Sequence, residues 1–500
     1  MRTDVGAFTI AGSTGPGDLS TLPDDLATVF RAALALDLVD ASGFVACRMP
    51  DGSVLTTPGP RAAGMFRRLR PDELVRIGDQ HLEADPARQL PREIALAAHL
   101  LGHTPGSTLL AGCGEATLRL AAVGRHALPL AHTNAELVHA GIAVVHPTRL
   151  ALDPNLAREL LAPVVTRDPA TDGIDGPGTI VLAGSAVLVT GASPFDALRK
   201  MDALELLARL TVALGDDEVG HQLTGADADA IARSRPKEAV PSRDPIRYFR
   251  TVDPGTSGRT LADELPGTAA PDDLDGMRTL VAVASRVLAA EGLVTYYEHL
   301  STRVPGADDR FLMTPAHDYH QMLPSDVGIV ATDEDCTPID CRFPPAPFRW
   351  FHRDLLALRR DIDAIVHTHP LHARIRYLRA TPRPAVAWHR GSVRAPNDVA
   401  LFPRPSLVFH PDDRAEMLAL LASASAAHGR HHGTDYLATT VAAATVAAIH
   451  DEDLDRRSAD VAPLGSHSAL AETFADNLRA DGVQPSEELA FRASLLHAFG

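Results

Sequence analysis

Two histidines separated by one residue are the feature of this sequence best suited to chemistry. His367 and His369 lie in the segment Ile365–Pro370, whose apolar start is typical of the end of a buried β-strand. Because side chains alternate between the faces of a strand, both imidazoles should point the same way, close enough to hold one metal ion. His432, directly before Gly433, is the candidate third ligand. The pair alone is weak evidence for a metal site in a chain with 23 histidines, so the interpretation depends on the residues around it.

The elements that would position this pair occur twice in the chain. Four landmarks recur in the same order at offsets of 247 to 257 residues. The paired segments are Leu38–Arg48 with Leu293–Arg303, Leu55–Pro58 with Leu312–Pro315, Leu109–Cys113 with Ile365–His369, and Ser185–Ala186 with His432–Gly433. Chance similarity would not keep that order, so we infer a tandem duplication.

Both copies also have the same predicted order of helices and strands. The predicted helices are Leu26–Ala35, Arg92–Leu101 and Pro194–Leu214 in the first copy and Met277–Ala290, Arg349–Leu358 and Val441–Asp453 in the second. Strands placed between these helices predict layered α/β domains.

The repeat and the composition together predict the domain bounds. Residues 1–215 and 275–456 are the two copies. Residues 216–274, rich in Asp, Pro, Gly and Arg, are a predicted linker with one short helix at Ala226–Arg233. Residues 457–500 are a predicted tail with a helix or two.

The landmarks of the second copy, taken together, resemble the class II aldolase/adducin superfamily. Members show Gly-(Asn/His)-Ile-Ser-x-Arg, then a Thr-Pro turn, a His-x-His strand, and His-Gly opening a strand and helix. In this sequence these motifs appear as Glu298–Arg303, Thr314–Pro315, His367–Pro370 and His432–Gly433. The resemblance covers roughly residues 275 to 456 and, more weakly, residues 22 to 215.

The resemblance implies two tandem domains, each with a mostly antiparallel central sheet flanked by helices. It also implies that His367, His369 and His432 bind a divalent metal ion, usually zinc, with iron or manganese as alternatives. Three neutral imidazoles leave a fourth position open, as a catalytic zinc site requires, and the ion would act there as a Lewis acid. His431 is the alternative to His432, which is favoured because the family's ligand directly precedes the glycine.

The sequence departs from the pattern of the sugar-phosphate aldolases in this family. Those enzymes carry Ser-Ser-Glu before the metal strand, where the serines help to bind phosphate and the glutamate moves the proton. Ala346, Pro347 and Phe348 stand at the matching positions, and none of them can donate a hydroxyl or exchange a proton. His299 replaces the family's asparagine, and Ala316-His317 displaces the glycine after Thr-Pro. A phosphorylated sugar is therefore an unfavourable substrate.

Several other side chains are expected near the site. His299 is a candidate general acid or base because an imidazole titrates near neutral pH, with a structural role as the alternative. Arg303 could bind a substrate carboxylate through two hydrogen bonds, or it could fix the loop around the first motif. His372, three residues past the pair, is expected at the surface or behind the ligands. The remaining candidates are His317, Tyr319, His320, His352 and His389.

The first copy lacks the whole ligand set, since Ala111, Cys113 and Ser185 stand at the three positions. Active sites in the resembling family lie between the subunits of a four-fold ring, so two tandem chains could build a pseudo-tetramer. We therefore predict a homo-oligomer, specifically a homodimer, in which the first copy supplies a wall of the intact site. Its candidate residues are Arg125, His126 and His132.

Composition narrows the range of binding partners and of cellular compartments that are expected for the protein. A net charge of −17 argues against nucleic acid, because phosphate binding needs a basic face. Four cysteines without paired spacing predict a reducing cytoplasm. Met1–Ser20 lacks the pattern of a secretory signal, and the apolar stretch Thr179–Thr190 is too short to span a bilayer. A small-molecule substrate is expected, without a membrane partner.

The leading functional prediction is a divalent-metal-dependent carbon–carbon lyase acting on a non-phosphorylated hydroxy, keto or aromatic acid. Loss of the glutamate at Phe348 favours decarboxylation over aldol cleavage, because decarboxylation needs an electron sink more than a base. One alternative is an iron-dependent oxygenase on the same scaffold, although three histidines differ from the usual two-His-one-carboxylate triad. The other alternative is a non-catalytic protein like the adducin head, which the intact second copy argues against.

Overall fold

The fold is that of a computed structural model, which describes part of the 500-residue chain. The described residues are 19–40, 42–59, 69–78, 90–91, 93–102, 107–123, 142–145, 154–162, 166–167, 174–175, 178–214, 223–224, 226–227, 231, 271–316, 318–379, 396, 398–461, 491 and 494. They fall into two compact units, the first running to Glu205 and the second starting at Leu206. Most of the predicted helix Ala226–Arg233 and of the predicted tail 457–500 lies outside the described residues.

The first unit is built on a seven-stranded sheet with helices around it. Its helices are α1 (Leu22–Ala35), α2 (Ile94–Leu101), α3 (Glu115–Ala122), α4 (Pro154–Leu161) and α5 (Pro194–Leu214), the last of which continues past Glu205. Its strands are β1 (Phe44–Arg48), β2 (Val54–Thr56), β3 (Val75–Ile77), β4 (Thr108–Gly112), β5 (Ile142–Val145), β8 (Thr179–Leu182) and β9 (Ala186–Gly191), and β6 (Thr166–Arg167) with β7 (Ile174–Asp175) forms a separate ribbon. The strand order is β3-β2-β1-β4-β9-β8-β5, and only the β5–β8 pair is parallel.

The second unit has an eight-stranded sheet. Its helices are α6 (Leu274–Ala290), α7 (Arg349–Leu358), α8 (Leu371–Leu378), α9 (Pro411–Leu421) and α10 (Val441–Val461). Its strands are β10 (His299–Val304), β11 (Ala307–Met313), β12 (Gly328–Ala331), β13 (Pro338–Asp340), β14 (Ala364–Thr368), β15 (Val399–Phe402), β16 (Ala426–Gly429) and β17 (Thr434–Ala438). The order is β13-β12-β11-β10-β14-β17-β16-β15, and among the described strand pairs only β15–β16 is parallel. The predicted fold class, mostly antiparallel sheets flanked by helices, is confirmed.

The sheet of the second unit is covered on both faces, which explains the continuous apolar runs in its central strands. Val366 and Leu300 belong to the core cluster that includes α6, whereas Ile365 and Leu437 belong to the cluster that includes α7. This alternation is the period of two that a strand imposes. It places His367 on the same face as Ile365, toward α7.

The two units share more than strand order. Without β13, the order in the second sheet reads β12-β11-β10-β14-β17-β16-β15, which repeats that of the first. The Cys113 amide donates to the Leu38 carbonyl over 3.2 Å, and the His369 amide donates to the Leu293 carbonyl over 3.1 Å. The same backbone bond therefore forms where one unit has cysteine and the other has histidine. The duplication itself stays a prediction from the sequence.

A helix cap made by a glutamate carboxylate is also repeated. The Glu205 carboxylate accepts from the Ala116 and Thr117 amides at the start of α3. At the start of α8, the Glu452 carboxylate accepts from the His372 and Ala373 amides. A carboxylate suits this place because the first amides of a helix have no partner within the helix.

Within the described residues, no helix is long and apolar enough to cross a membrane.

Candidate metal centre

Three histidines of the second unit converge on one point. His367 at the end of β14, His369 just after it and His432 just before β17 have side-chain nitrogens that all lie within 4.8 Å of one another. The Nε2 atoms of His367 and His369 are 3.2 Å apart. The ring of His432 lies 5.0 Å from each of the other two, between centroids. His431, the alternative third ligand, is not part of this group.

Two buried carboxylates fix the orientation of the paired rings. The Nδ1 of His367 lies 2.9 Å from the Asp435 carboxylate, and the Nδ1 of His369 lies 2.8 Å from the Glu298 carboxylate. An ionised carboxylate only accepts hydrogen bonds, so each Nδ1 carries the proton and donates it. In a neutral ring the Nε2 then has a lone pair. Two lone pairs facing each other at 3.2 Å repel unless a cation lies between them, and this donor set fits a divalent metal ion.

The charge states of His369 and Glu298 agree with this assignment. Burial disfavours the charge on Glu298, but the electrostatic attraction of His369 and the hydrogen bonds from His369 and from the Thr295 amide outweigh burial and lower the pKa of Glu298 to about 2. Burial also lowers the pKa of His369, against the opposing effect of Glu298. The pair at neutral pH is therefore a carboxylate and a neutral imidazole that can donate its Nε2 lone pair.

The glycine after His432 is required by close approach. A Cβ atom on Gly433 would lie 2.5 Å from Cδ2 of His369 and 3.0 Å from Nε2 of His367, and it would also collide with the Thr368 carbonyl oxygen. Only a residue without a side chain lets the turn before β17 pass this close to the two imidazoles. The His-Gly pair is thus a steric condition for the cluster.

Phe348, at the position of the family's glutamate, lies in a stack of rings beside the cluster. Its ring centroid is 4.6 Å from that of Phe409 and 4.8 Å from that of His299. The His299 ring in turn stacks on His367 at 4.4 Å with a 12° angle between planes. His299 and His367 are directly opposite each other on β10 and β14, which explains the contact.

A small pocket, open to solvent, adjoins the cluster. Its walls combine the imidazoles with apolar side chains and two glycines. The lining residues are His299, Phe348, Phe351, His367, Ser406, Val408, Met417, Gly429, His432, Gly433 and Asp435. Asp435 is the only carboxylate among these described lining residues, and it is already bonded to His367.

His299 is the first of three buried polar side chains in a row. Its Nδ1 lies 2.6 Å from Nε2 of His352, and Nδ1 of His352 lies 2.6 Å from the Ser301 hydroxyl. Burial lowers the pKa of His352 to about 3, and burial together with the neighbouring histidines also lowers the pKa of His299. Both rings are therefore neutral at physiological pH.

Comparison with known proteins gives a family for the part of the second unit that carries the cluster. Residues 279–456 match the family model described as Class II Aldolase and Adducin N-terminal domain, and the match includes all three histidines of the cluster. These residues form a class II aldolase/adducin domain. The resemblance inferred from the motifs is thereby confirmed for the second copy.

Several solved structures that are similar to part of the chain have aldolase titles. An aldolase II superfamily protein from Pseudomonas syringae is 20% identical, with 48% of this chain and 96% of that chain covered and a TM-score of 0.40. The L-fuculose 1-phosphate aldolase from Glaciozyma antarctica PI12 is 20% identical, with 48% and 95% covered and a TM-score of 0.39. A sugar-phosphate aldolase from Thermotoga maritima is 14% identical, with 38% and 98% covered and a TM-score of 0.31. No curated protein matches the chain.

Arg303 lies away from the pocket of the aldolase-like domain. Its guanidinium donates to the carbonyls of Ile362, Leu356 and Arg359 over 2.6 to 3.1 Å and pairs with Asp363 at 3.1 Å. In the first unit, which lacks the three-histidine cluster, Arg48 makes a corresponding bond to the Ala98 carbonyl in the last turn of α2. Since this contact occurs without the histidine cluster, it favours the structural alternative for Arg303.

We expect Arg303→Ala to lower the free energy of unfolding by about 1–3 kcal/mol, because buried carbonyls lose their donor. Metal affinity should stay within about twofold of the wild-type value, since the guanidinium does not contact the cluster. Urea unfolding and a metal titration measure the two quantities, and Arg48→Ala is the matched variant in the first unit. A tenfold loss of metal affinity with unchanged stability would contradict this assignment.

The other predicted site residues are scattered. His372 lies at the start of α8, with its Nδ1 2.7 Å from Glu452, so it contributes to the helix cap. Tyr319 is buried and bonds through its hydroxyl to Thr314. His320 lies in the short 3₁₀ turn Tyr319–Gln321. The candidates outside the described residues are His317, His389, Arg125, His126 and His132, so the pseudo-tetramer stays a prediction.

Sequence reasoning missed the carboxylates that orient the ligands. Glu298 occupies the glycine position of the first motif, and an acidic residue there was a signal that could have been used. Asp435 follows His432 by three residues, and its register opposite His367 becomes visible only when β14 and β17 pair. The roles of both carboxylates depend on contacts between strands that are distant in sequence.

Proposed function

We propose that the chain is a divalent-metal-dependent lyase that decarboxylates a non-phosphorylated hydroxy, keto or aromatic acid. The observation that carries the proposal is the short distance between Nε2 of His367 and Nε2 of His369, which lie 3.2 Å apart. They adjoin a pocket in which Asp435, the one carboxylate among the described lining residues, is already bonded to His367. Membership of residues 279–456 in the class II aldolase/adducin family agrees with a metal-dependent lyase.

His367, His369 and His432 would hold the ion, and zinc is the preferred metal because three neutral imidazoles with an open position suit it, with manganese or iron as alternatives. When bound, the ion would supply a Lewis acid that stabilises negative charge developing on a substrate oxygen. Asp435 and Glu298 keep the rings in the binding tautomer and increase their basicity.

The wall of the pocket supports a substrate without phosphate. Phe348, Phe351, Val408 and Met417 offer neither a positive charge nor a hydroxyl to a phosphate oxygen. The Ser406 hydroxyl, which also lines the pocket, already donates to the Asp413 carboxylate over 2.6 Å. Ala346, at a serine position of the sugar-phosphate enzymes, is fully buried. An apolar wall beside a metal-binding group suits an acid with one chelating end and one apolar or aromatic end.

Among the described lining residues the pocket has no carboxylate free to act as a base, and this favours decarboxylation over aldol cleavage. Retro-aldol cleavage requires a base that removes a hydroxyl proton, and Phe348 cannot act as one. In decarboxylation the bond to the carboxylate breaks, carbon dioxide leaves, and the electron pair stays on the remaining carbon. A proton from water then joins that carbon, so the step needs no further base.

The test is a comparison of products with defined metals. Protein loaded with zinc or manganese should release carbon dioxide from one of a panel of acids that includes oxaloacetate and 3,4-dihydroxybenzoate, and the His367→Ala variant should not. Cleavage of L-fuculose 1-phosphate by the zinc form would overturn the choice of substrate class. Oxygen uptake with ferrous iron, without release of carbon dioxide by the zinc form, would favour the oxygenase alternative.

A further inference from the structure

The row formed by Ser301, His352 and His299 ends at the pocket with an unpaired atom. All three side chains are at most 2% exposed. The Nε2 of His299 is buried and has no hydrogen-bond partner among the described residues, and His299 lines the pocket. A buried polar atom without a partner costs about 1–3 kcal/mol, so its retention beside a candidate active site indicates a missing partner.

The hydrogen bonds in the row determine which nitrogens carry protons. Within the described residues, the Ser301 hydroxyl bonds to Nδ1 of His352 and to no other group. Because a buried hydroxyl needs an acceptor, Ser301 donates its proton to Nδ1. The neutral His352 ring then carries its proton on Nε2 and donates it to Nδ1 of His299, 2.6 Å away. His299, accepting on Nδ1, carries its own proton on Nε2.

We propose that Ser301 and His352 hold His299 in the Nε2–H tautomer, so that this N–H donates a hydrogen bond to an anionic oxygen of the substrate beside the three-histidine cluster. His299 would touch the substrate, whereas His352 and Ser301 are positioning residues. The identity of the acceptor as an oxygen of an acid rests on the proposed function, but the tautomer does not.

The assignment excludes two other roles for His299. A nitrogen that carries a proton cannot bind a metal ion, so His299 is not a fourth ligand although its ring stacks on His367. A neutral ring that gave up this proton would become an imidazolate, which is unfavourable. The N–H therefore acts as a fixed hydrogen-bond donor, and water supplies the proton that replaces carbon dioxide.

The tautomer is tested by nitrogen-15 NMR of the full chain labelled at histidine and free of metal. The ring signals of the two residues are identified by their loss in His299→Gln and His352→Gln. Both rings should show a protonated Nε2 and an unprotonated Nδ1 in the wild type. Removal of the Ser301 hydroxyl in Ser301→Ala should populate the other tautomer of His352. A wild-type His299 ring protonated on Nδ1 would overturn the proposal.

The donor role is tested by titrating zinc-loaded protein with oxalate in a calorimeter. His352→Phe removes the donor to His299 and should weaken oxalate binding about 10- to 100-fold, the factor expected of a hydrogen bond to a charged group. In His352→Gln the side-chain amide can still donate to Nδ1 of His299, so affinity should recover to within about threefold. Unchanged oxalate affinity in His352→Phe would refute the donor role. Failure of the wild type to bind zinc would instead refute the proposed function and leave the NMR result decisive for the tautomer.

Discussion

Replacement of His367 by alanine is expected to abolish divalent-metal binding, with a loss of affinity of more than about 100-fold. The substitution removes one of three ligands and leaves His369 without the partner whose Nε2 lies 3.2 Å away. It also leaves the buried Asp435 carboxylate without the ring that donates to it, so protein stability should fall as well. Metal content by elemental analysis and affinity by competition with a chromophoric chelator measure the effect.

Two controls separate loss of the ligand from general damage. His410→Ala removes an exposed imidazole, whose side chain is 62% accessible, and should keep wild-type metal content. Asp435→Asn keeps His367 but weakens the acceptor at its Nδ1, and should lower metal affinity about 10- to 100-fold, the usual cost of losing such a partner. A His367→Ala protein with full metal content and full turnover would refute the metal centre and the lyase proposal together.

Alanine at Gly433 is expected to disrupt the same centre without removing any ligand. Its Cβ would lie 2.5 Å from a ring carbon of His369 and 3.0 Å from the Nε2 of His367, and it would collide with backbone at Thr368. Backbone cannot yield as a flexible side chain can, so β14 and the turn before β17 must separate. We expect metal affinity to fall more than tenfold and the free energy of unfolding to fall by about 1–3 kcal/mol, the usual cost of overpacking.

Gly429 offers a matched control at the neighbouring strand. A Cβ there would lie 3.4 Å from the His432 Cβ and 3.7 Å from the Gly433 carbonyl oxygen, which needs at most a small adjustment. Gly429→Ala should therefore keep metal affinity within about threefold. The first unit has Ala186 at the position that the repeat pairs with Gly433, and there Ala111 and Cys113 replace the two imidazoles. Wild-type metal affinity in Gly433→Ala would show that the close approach does not matter for the centre.

The local sequence pattern was sufficient to predict several helices and to predict that two of the three histidines lie together. The period of two in β14 predicted that His367 and His369 share a face, and their Nε2 atoms meet at 3.2 Å. The helices Arg349–Leu358 and Pro194–Leu214 have the predicted bounds, because their apolar spacing and flanking residues are local signals. The last helix runs to Val461, beyond the predicted Asp453, because the extension contains leucine, two arginines and alanine, which favour a helix.

Contacts between distant segments decided the roles of the other residues. Arg303 and His299 stand four residues apart on β10, yet the first bonds to carbonyls near Leu356 and the second lines the pocket. Nothing in their spacing separates these two outcomes, since each depends on which neighbour the sheet and α7 bring opposite. The same holds for Glu298 and Asp435, whose carboxylates reach the two imidazoles across strand pairs.

The sequence by itself determined the fold class, the family of the second copy and the residue types of a candidate metal centre. These follow from periodicity, from the order of motifs and from the chemistry of imidazole, all of which are properties of short segments. Only the tertiary structure showed the carboxylates beside the two imidazoles, the steric need for Gly433, the carbonyl contacts of Arg303 and the buried row behind His299. Hydrogen-bond partners and close approach are set by pairs of residues far apart in the chain, and a linear pattern does not specify those pairs until the strands have paired.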